Sequence, residues 1–236
     1  MKNGYDGGRF ERLARAMSRN HDITVKLSGT AACTDGKTIY IPANSDDFKE
    51  ADAQVLHGLL DHETAHVWEE EEARRNHKPT PLELLTPIKD NATKAWFNIF
   101  EDVRIERSAA KRYTGIAENI SLLNTHAINK HKKQMKAGKK YDAWSQVMIG
   151  ALTVLDGKNT DWLSPAVEIV LSMIADEIEE GKHTTSAEQT MKLAKRVVKK
   201  LREHSKEGEG GMPSDKEPKK GDKKDGKKGS GKTKKD

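Results

Sequence analysis

The chain has 236 residues, of which 34% are hydrophobic and 33% charged, so one soluble domain with a modest core is expected. Its apolar runs are too short to span a bilayer and no charged-then-apolar segment opens it, while a lone cysteine, Cys33, excludes a disulfide framework; a cytoplasmic protein is expected. The net charge of +5 sits mainly in residues 205–236, where 11 lysines face 7 acids, and residues 1–204 are close to neutral, so a nucleic-acid-binding body is not expected.

Residues 8–19 place Phe10, Leu13 and Met17 at helical spacing, which predicts a short amphipathic helix. "DITVKL" (22–27) and "KTIYIP" (37–42) are rich in β-branched residues, and "TDG" between them is a turn signal. Together they predict a β-hairpin or a small sheet edge. Pro42 ends the second strand, and Ser45 and Asp46 are N-cap candidates for a long helix from about Asp47 to Arg75.

"NHKPTPLELLTP" (76–87) reads as a loop on its three prolines. A second long helix follows from about Ile88 to Tyr113, with Gly115 as its stop, and further helices are expected near 116–134, 141–156, 162–180 and 184–204. The pattern predicts an α+β fold that is mostly helical: a small N-terminal β-hairpin or sheet, a helix carrying a His-Glu-x-x-His string, and a C-terminal helical part. Residues 1–204 form the expected domain. Residues 205–236, with almost no apolar side chains and no aromatic ring for base stacking, are expected to be a disordered, lysine-rich spacer.

The string is "LLDHETAHVWEE" (59–70). At 100° per residue, Phe48, Ala51, Val55, Leu59 and His66 all fall within about 60° of His62, so both histidines share the apolar stripe. Residues four apart stack one turn above another, close enough for two imidazoles to grip one ion. Glu63 lies about 100° round the helix, beside the pair. Two neutral imidazoles suit Zn²⁺, and a carboxylate beside the ion's water is placed to act as general base. The competing account, two satisfied core histidines, leaves an adjacent inward-facing pair without a partner. Glu69 to Glu72 read as a solvated acidic run.

A zinc site needs a third protein ligand, and "NIFEDVRIER" (98–107) offers Glu101, Asp102 and Glu106. The apolar residues Trp96, Ile99, Phe100 and Val103 mark the buried side of this helix, with Asp102 and Glu106 nearer to it than Glu101. Glu101 and Asp102 point about 100° apart, so one of them is the expected ligand. The other acid, or Glu106, is available to hold a histidine N–H. Arg104 can pair with an acid or steady a carbonyl. A salt-bridged surface helix is the plainer alternative.

"TDGKTIYIP", "HGLLDHETAH" and "FNIFEDVRIER", in that order, resemble the metallopeptidase-like region of bacterial and phage proteins related to the cobaltochelatase T subunit, over roughly residues 28–110. The resemblance implies a zincin-like domain, with His62 and His66 as zinc ligands, Glu63 as catalytic base and an acid of "EDVRIE" completing the site. It implies a peptide or protein substrate lying along the 37–41 strand by β-augmentation, with Arg104, Tyr113 and His126 as candidate oxyanion stabilisers. Such regions often precede a von Willebrand factor type A domain that works with a MoxR-type AAA+ ATPase, whereas a lysine-rich tail stands at that place here. The expectation is a zinc-dependent metallopeptidase-like protein. The alternative is a non-hydrolytic, metal-stabilised adaptor for an AAA+ ATPase or von Willebrand type A partner.

Overall fold

The computed structural model describes residues 7–42 and 53–207. Helix α1 (Gly7–Ser18) is followed by strands β1 (Thr24–Leu27), β2 (Cys33–Thr34) and β3 (Thr38–Ile41). The three strands form one sheet in the order β1-β3-β2. Strands β1 and β3 run parallel, with Thr24 opposite Thr38 and Leu27 opposite Ile41, so the two sequence-predicted strands are not the arms of a hairpin. The hairpin joins β2 to β3, with Cys33 opposite Tyr40. Its turn is the "TDG" segment: Asp35 Oδ1 accepts from the Lys37 and Thr38 amides at 2.9 and 2.7 Å, and Gly36 supplies the positive φ of 85°. Two-residue β2 carries too little periodicity to be read from sequence.

Helix α2 (Ala53–Arg75) contains the His-Glu-x-x-His string; the expected caps Ser45 and Asp46, the start at Asp47, and Phe48 and Ala51 lie outside the described residues. The segment read as a loop holds a short helix, α3 (Pro81–Leu85), because Thr80 and Glu83 close a capping box behind Pro81. Helix α4 (Asn91–Arg112) starts on an Asp90 cap and ends where Tyr113 turns extended. Helix α5 (Thr114–Lys136) begins at once, so Gly115 lies in its first turn rather than acting as a stop. Then come α6 (Ala143–Leu155), α7 (Pro165–Met173), α8 (Ala175–Gly181) and α9 (Ala187–Glu207). The helix expected over 162–180 starts instead on the Ser164 cap and breaks at Ile174, where φ is −115° and ψ 20°. The whole is α+β and mostly helical. No described helix is long and apolar enough to cross a membrane.

Three apolar clusters position the long helices. Phe10 and Ala14 of α1, Val25, Ile39 and Ile41 of the sheet, and Leu56, Leu60 and Val67 of α2 form the first. Ala65, Ile105, Ala109, Ile116 and Ile120 join α2 to α4 and α5. The largest packs Trp96, Phe97 and Phe100 of α4 against α6 to α9. Helix α4 is therefore buried on two sides, one facing α2 and the other facing the C-terminal helices.

Close approach is built in at two glycines. A Cβ at Gly58 of α2 would stand 2.6 Å from the Asn119 carbonyl oxygen of α5, and one at Gly181 would run into the Phe100 ring.

Candidate metal centre

The apolar stripe of α2 turns His62 and His66 toward α4, where Asp102 and Glu106 stand one turn apart. His66 Nε2 lies 3.3 Å from His62 Nε2 and 3.2 Å from Asp102 Oδ1, and His62 Nε2 lies 3.9 Å from the same oxygen. Three donor atoms thus converge on one point. Tetrahedral zinc with bonds of about 2.0–2.1 Å sets its ligand atoms about 3.3 Å apart, close to the separations found. On the far side of the ring, His62 Nδ1 donates to Glu106 Oε1 at 2.8 Å, which fixes the tautomer that presents Nε2 to the centre. The donor set fits a divalent cation.

The electrostatics agree. Burial works against an imidazolium at His62, but Asp102, then Glu106 and Glu63, outweigh it and its pKa is pushed up to about 10. Burial likewise disfavours the charged form of Asp102, yet both histidines hold its pKa below the ordinary carboxylate value. The site attracts positive charge. Glu63, 6% exposed, makes no hydrogen bond to a described residue. Burial raises its pKa, with the histidines pulling it back.

Glu101 does not face this point. It is 1% exposed and accepts from Arg104 Nε and Nη2 at 2.9 and 2.6 Å. The helical projection placed it on the outer side because it assumed one buried side for α4, whereas α4 has two. Arg104 also donates to Glu69 at 2.8 Å, so its guanidinium is held between two acids, and it lines neither cleft at the histidines. Tyr113 lies in a separate pocket with Asp61 and Trp68, and His126 lines neither cleft at the histidines. Nor is the Glu69–Glu72 run solvated: Glu70 accepts from the Leu82 amide, and Glu69 and Glu72 both receive Arg112.

Two clefts meet over the three donor atoms. The smaller, of about 350 Å³, runs from β2 past His62, Glu63 and His66 to α3. The larger, of about 640 Å³, shares His62, Glu63 and Asp102 and continues between α4, α5 and α6. Both sides of β3 are occupied, by β1 and β2, so the 37–41 strand is not an edge open to an extended ligand. The edge strands are β1 and β2, and β2 is the one that borders the smaller cleft. Sequence reasoning missed β2, which leaves no periodic signal, and gave no role to Arg107, the last residue of "NIFEDVRIER", which lines the larger cleft.

The family model described as "Cobalamin biosynthesis protein CobT" matches residues 10–154, more than half of the chain. That stretch includes all three residues of the donor cluster and its Glu106 support. No curated protein and no solved structure matches the chain.

Proposed function

The chain belongs to the family of the cobalamin biosynthesis protein CobT, and from that premise we propose that it is a cobaltochelatase-related, metal-binding module acting in a protein assembly, its ion held by His62, His66 and Asp102. The observation that carries this reading is the convergence of two imidazole nitrogens and one carboxylate oxygen at mutual distances of 3.2–3.9 Å. Two imidazoles and a carboxylate favour Zn²⁺ and accept other divalent ions. An ion there fastens α2 to α4 and so stiffens the surface both helices present. In this reading the partner is an AAA+ ATPase, with or without a von Willebrand type A domain, as the resemblance of the three motifs implies.

A second reading, peptide hydrolysis in a zincin-like site, is favoured by one observation: Glu63 lines both clefts where they meet at the donor atoms. Structural zinc sites are closed, whereas catalytic ones keep an open position. A bound zinc ion supplies Lewis-acid polarisation and lowers the pKa of water at the site to about 7. Glu63 would be the group that holds and moves the proton, as general base toward water and as general acid toward the departing amine. An extended substrate pairs with the β2 edge rather than β3.

One experiment separates these. Elemental mass spectrometry of the purified chain is expected to find about one zinc per molecule, lost in the His62→Ala/His66→Ala double variant. No metal in either protein removes both readings. Glu63→Gln is then compared with wild type for peptide cleavage and for capture of an AAA+ ATPase. Cleavage lost only in the variant establishes hydrolysis; no cleavage by wild type, with capture retained by both, establishes the adaptor.

A further inference from the structure

The wall of the larger cleft carries a charge that the metal centre does not use. Arg107 follows Glu106 on α4, and no described carboxylate pairs with it. Its Nη2 donates to the Thr184 carbonyl, while Nη1 is shielded from solvent and has no partner among the described residues. Burial and the neighbouring Arg104 both lower its pKa, and no acid offsets them. The other two arginines on this helix are neutralised, Arg104 by Glu101 and Glu69 and Arg112 by Glu69 and Glu72. The exception is the one on a cleft wall. Lys182, which reaches Glu179 at 2.7 Å, lines the same cleft.

A guanidinium beside apolar surface is unfavourable unless something negative joins it, and a buried donor with no partner marks the place where a ligand or ion belongs. The remaining wall is largely apolar, with Leu59, Val103, Ile120, Ile128 and Leu152. Glu106 and Asp156 also line the cleft; they disfavour a dianion such as phosphate and leave room for a single negative charge. Arg107 stands five residues beyond Asp102, about 7.5 Å further along α4. The two also stand about 140° apart round the helix, but both line this one cleft, so a ligand lying in it borders both.

We propose that Arg107, assisted by Lys182, forms a carboxylate subsite: the cleft takes a ligand with an apolar body, one end at the metal donors and a carboxylate on the guanidinium. The proposal rests on the metal-centre reading for the position of the ligand's first end only. In the adaptor reading that ligand is an acidic segment of the partner, and in the hydrolytic reading it is the substrate.

The test titrates two probes into the zinc-loaded full chain by calorimetry, glutaric acid monohydroxamate and the uncharged butyryl hydroxamate. The carboxylate-bearing probe is expected to bind about tenfold tighter or more. Arg107→Gln removes that preference, Arg107→Lys restores part of it, and the uncharged probe binds all three alike. Equal binding of the two probes by wild type, or a preference that survives Arg107→Gln, overturns the subsite and leaves the metal centre standing; the wild-type comparison decides even if the variant does not fold. A chain that takes up no zinc defeats the metal reading instead. Butyrate, a monoanion with the same apolar body, titrated into that metal-free chain then decides the subsite: binding that Arg107→Gln abolishes supports it, and no binding overturns it.

Discussion

Glu106 meets the centre through one contact, its 2.8 Å hydrogen bond with His62 Nδ1. Carboxylates in that position orient a ligating imidazole and raise its basicity, and their loss typically weakens metal binding by about 10–100-fold. Glu106→Ala is therefore expected to lower zinc affinity by that order, read by competition with a chelator, without changing the number of ions bound. The raised pKa of His62 adds a second expectation. In metal-free protein that ring keeps its proton through the neutral range, so an incoming ion displaces it. Apparent zinc affinity then rises with pH from 6 to 8, and proton release on binding is measurable by calorimetry in buffers of different ionisation enthalpy. The histidine pair was legible in the sequence because four-residue spacing on one apolar stripe states a geometry. The choice between Glu101 and Asp102 was not, since it depends on which of two buried sides of α4 faces α2. Glu69 and Glu72 were misread for a related reason: their partners Arg104 and Arg112 lie 35–43 positions away, whereas Glu70 and Glu71 pair locally with Arg74.

Both helices that carry the donor atoms are held by specific end and contact chemistry. Asp90 caps α4, accepting from the Ala92 amide at 3.2 Å, from Thr93 Oγ1 at 2.6 Å and from Arg202 at 2.8 Å. Burial alone would raise its pKa, but Thr93, Arg202 and the Ala92 amide outweigh it, and the carboxyl titrates below its usual value. A depressed folded-state pKa gives stability that is present above the unfolded value and disappears as pH falls through the folded one. Asp90→Ala is expected to cost about 1 kcal/mol near neutral pH, a difference that shrinks in acid as pH falls below the ordinary carboxylate value of 3.8; urea melts of both proteins across that range check it. Gly58 holds α2 against α5, and Gly58→Ala forces apart a contact of 2.6 Å to backbone. Overpacking of this kind costs about 1–3 kcal/mol, visible as a lower Tm. Long helices with caps and stripes were readable almost to the residue at Arg75 and Arg112. The sheet was not: strand composition gave β1 and β3, but pairing order depends on contacts between segments, and a parallel pair with a two-residue strand beside it has no composition of its own.

At the scale of the molecule, the family match ends at residue 154, yet the largest apolar cluster draws on α7, α8 and α9 beyond it. Trp96, Phe97 and Phe100, 0–2% exposed, belong to that cluster. A chain shortened after residue 154 is expected to expose this surface and to lose cooperative thermal unfolding, with aggregation visible by light scattering. A soluble shortened chain with a sharp melt would show that the family-matching part stands alone.

The Gly181–Phe100 contact has a further reach. Phe100 and Asp102 share one turn of α4, the ring wedged under α8 on one flank and the carboxylate meeting the histidines on the other. Whatever lifts α8 frees the helix to roll about its long axis and swings Asp102 out of register with α2. An ion held at the three donor atoms would then work as a tell-tale for the C-terminal helices: its off-rate is expected to rise when they are unseated, although none of the three donors belongs to them.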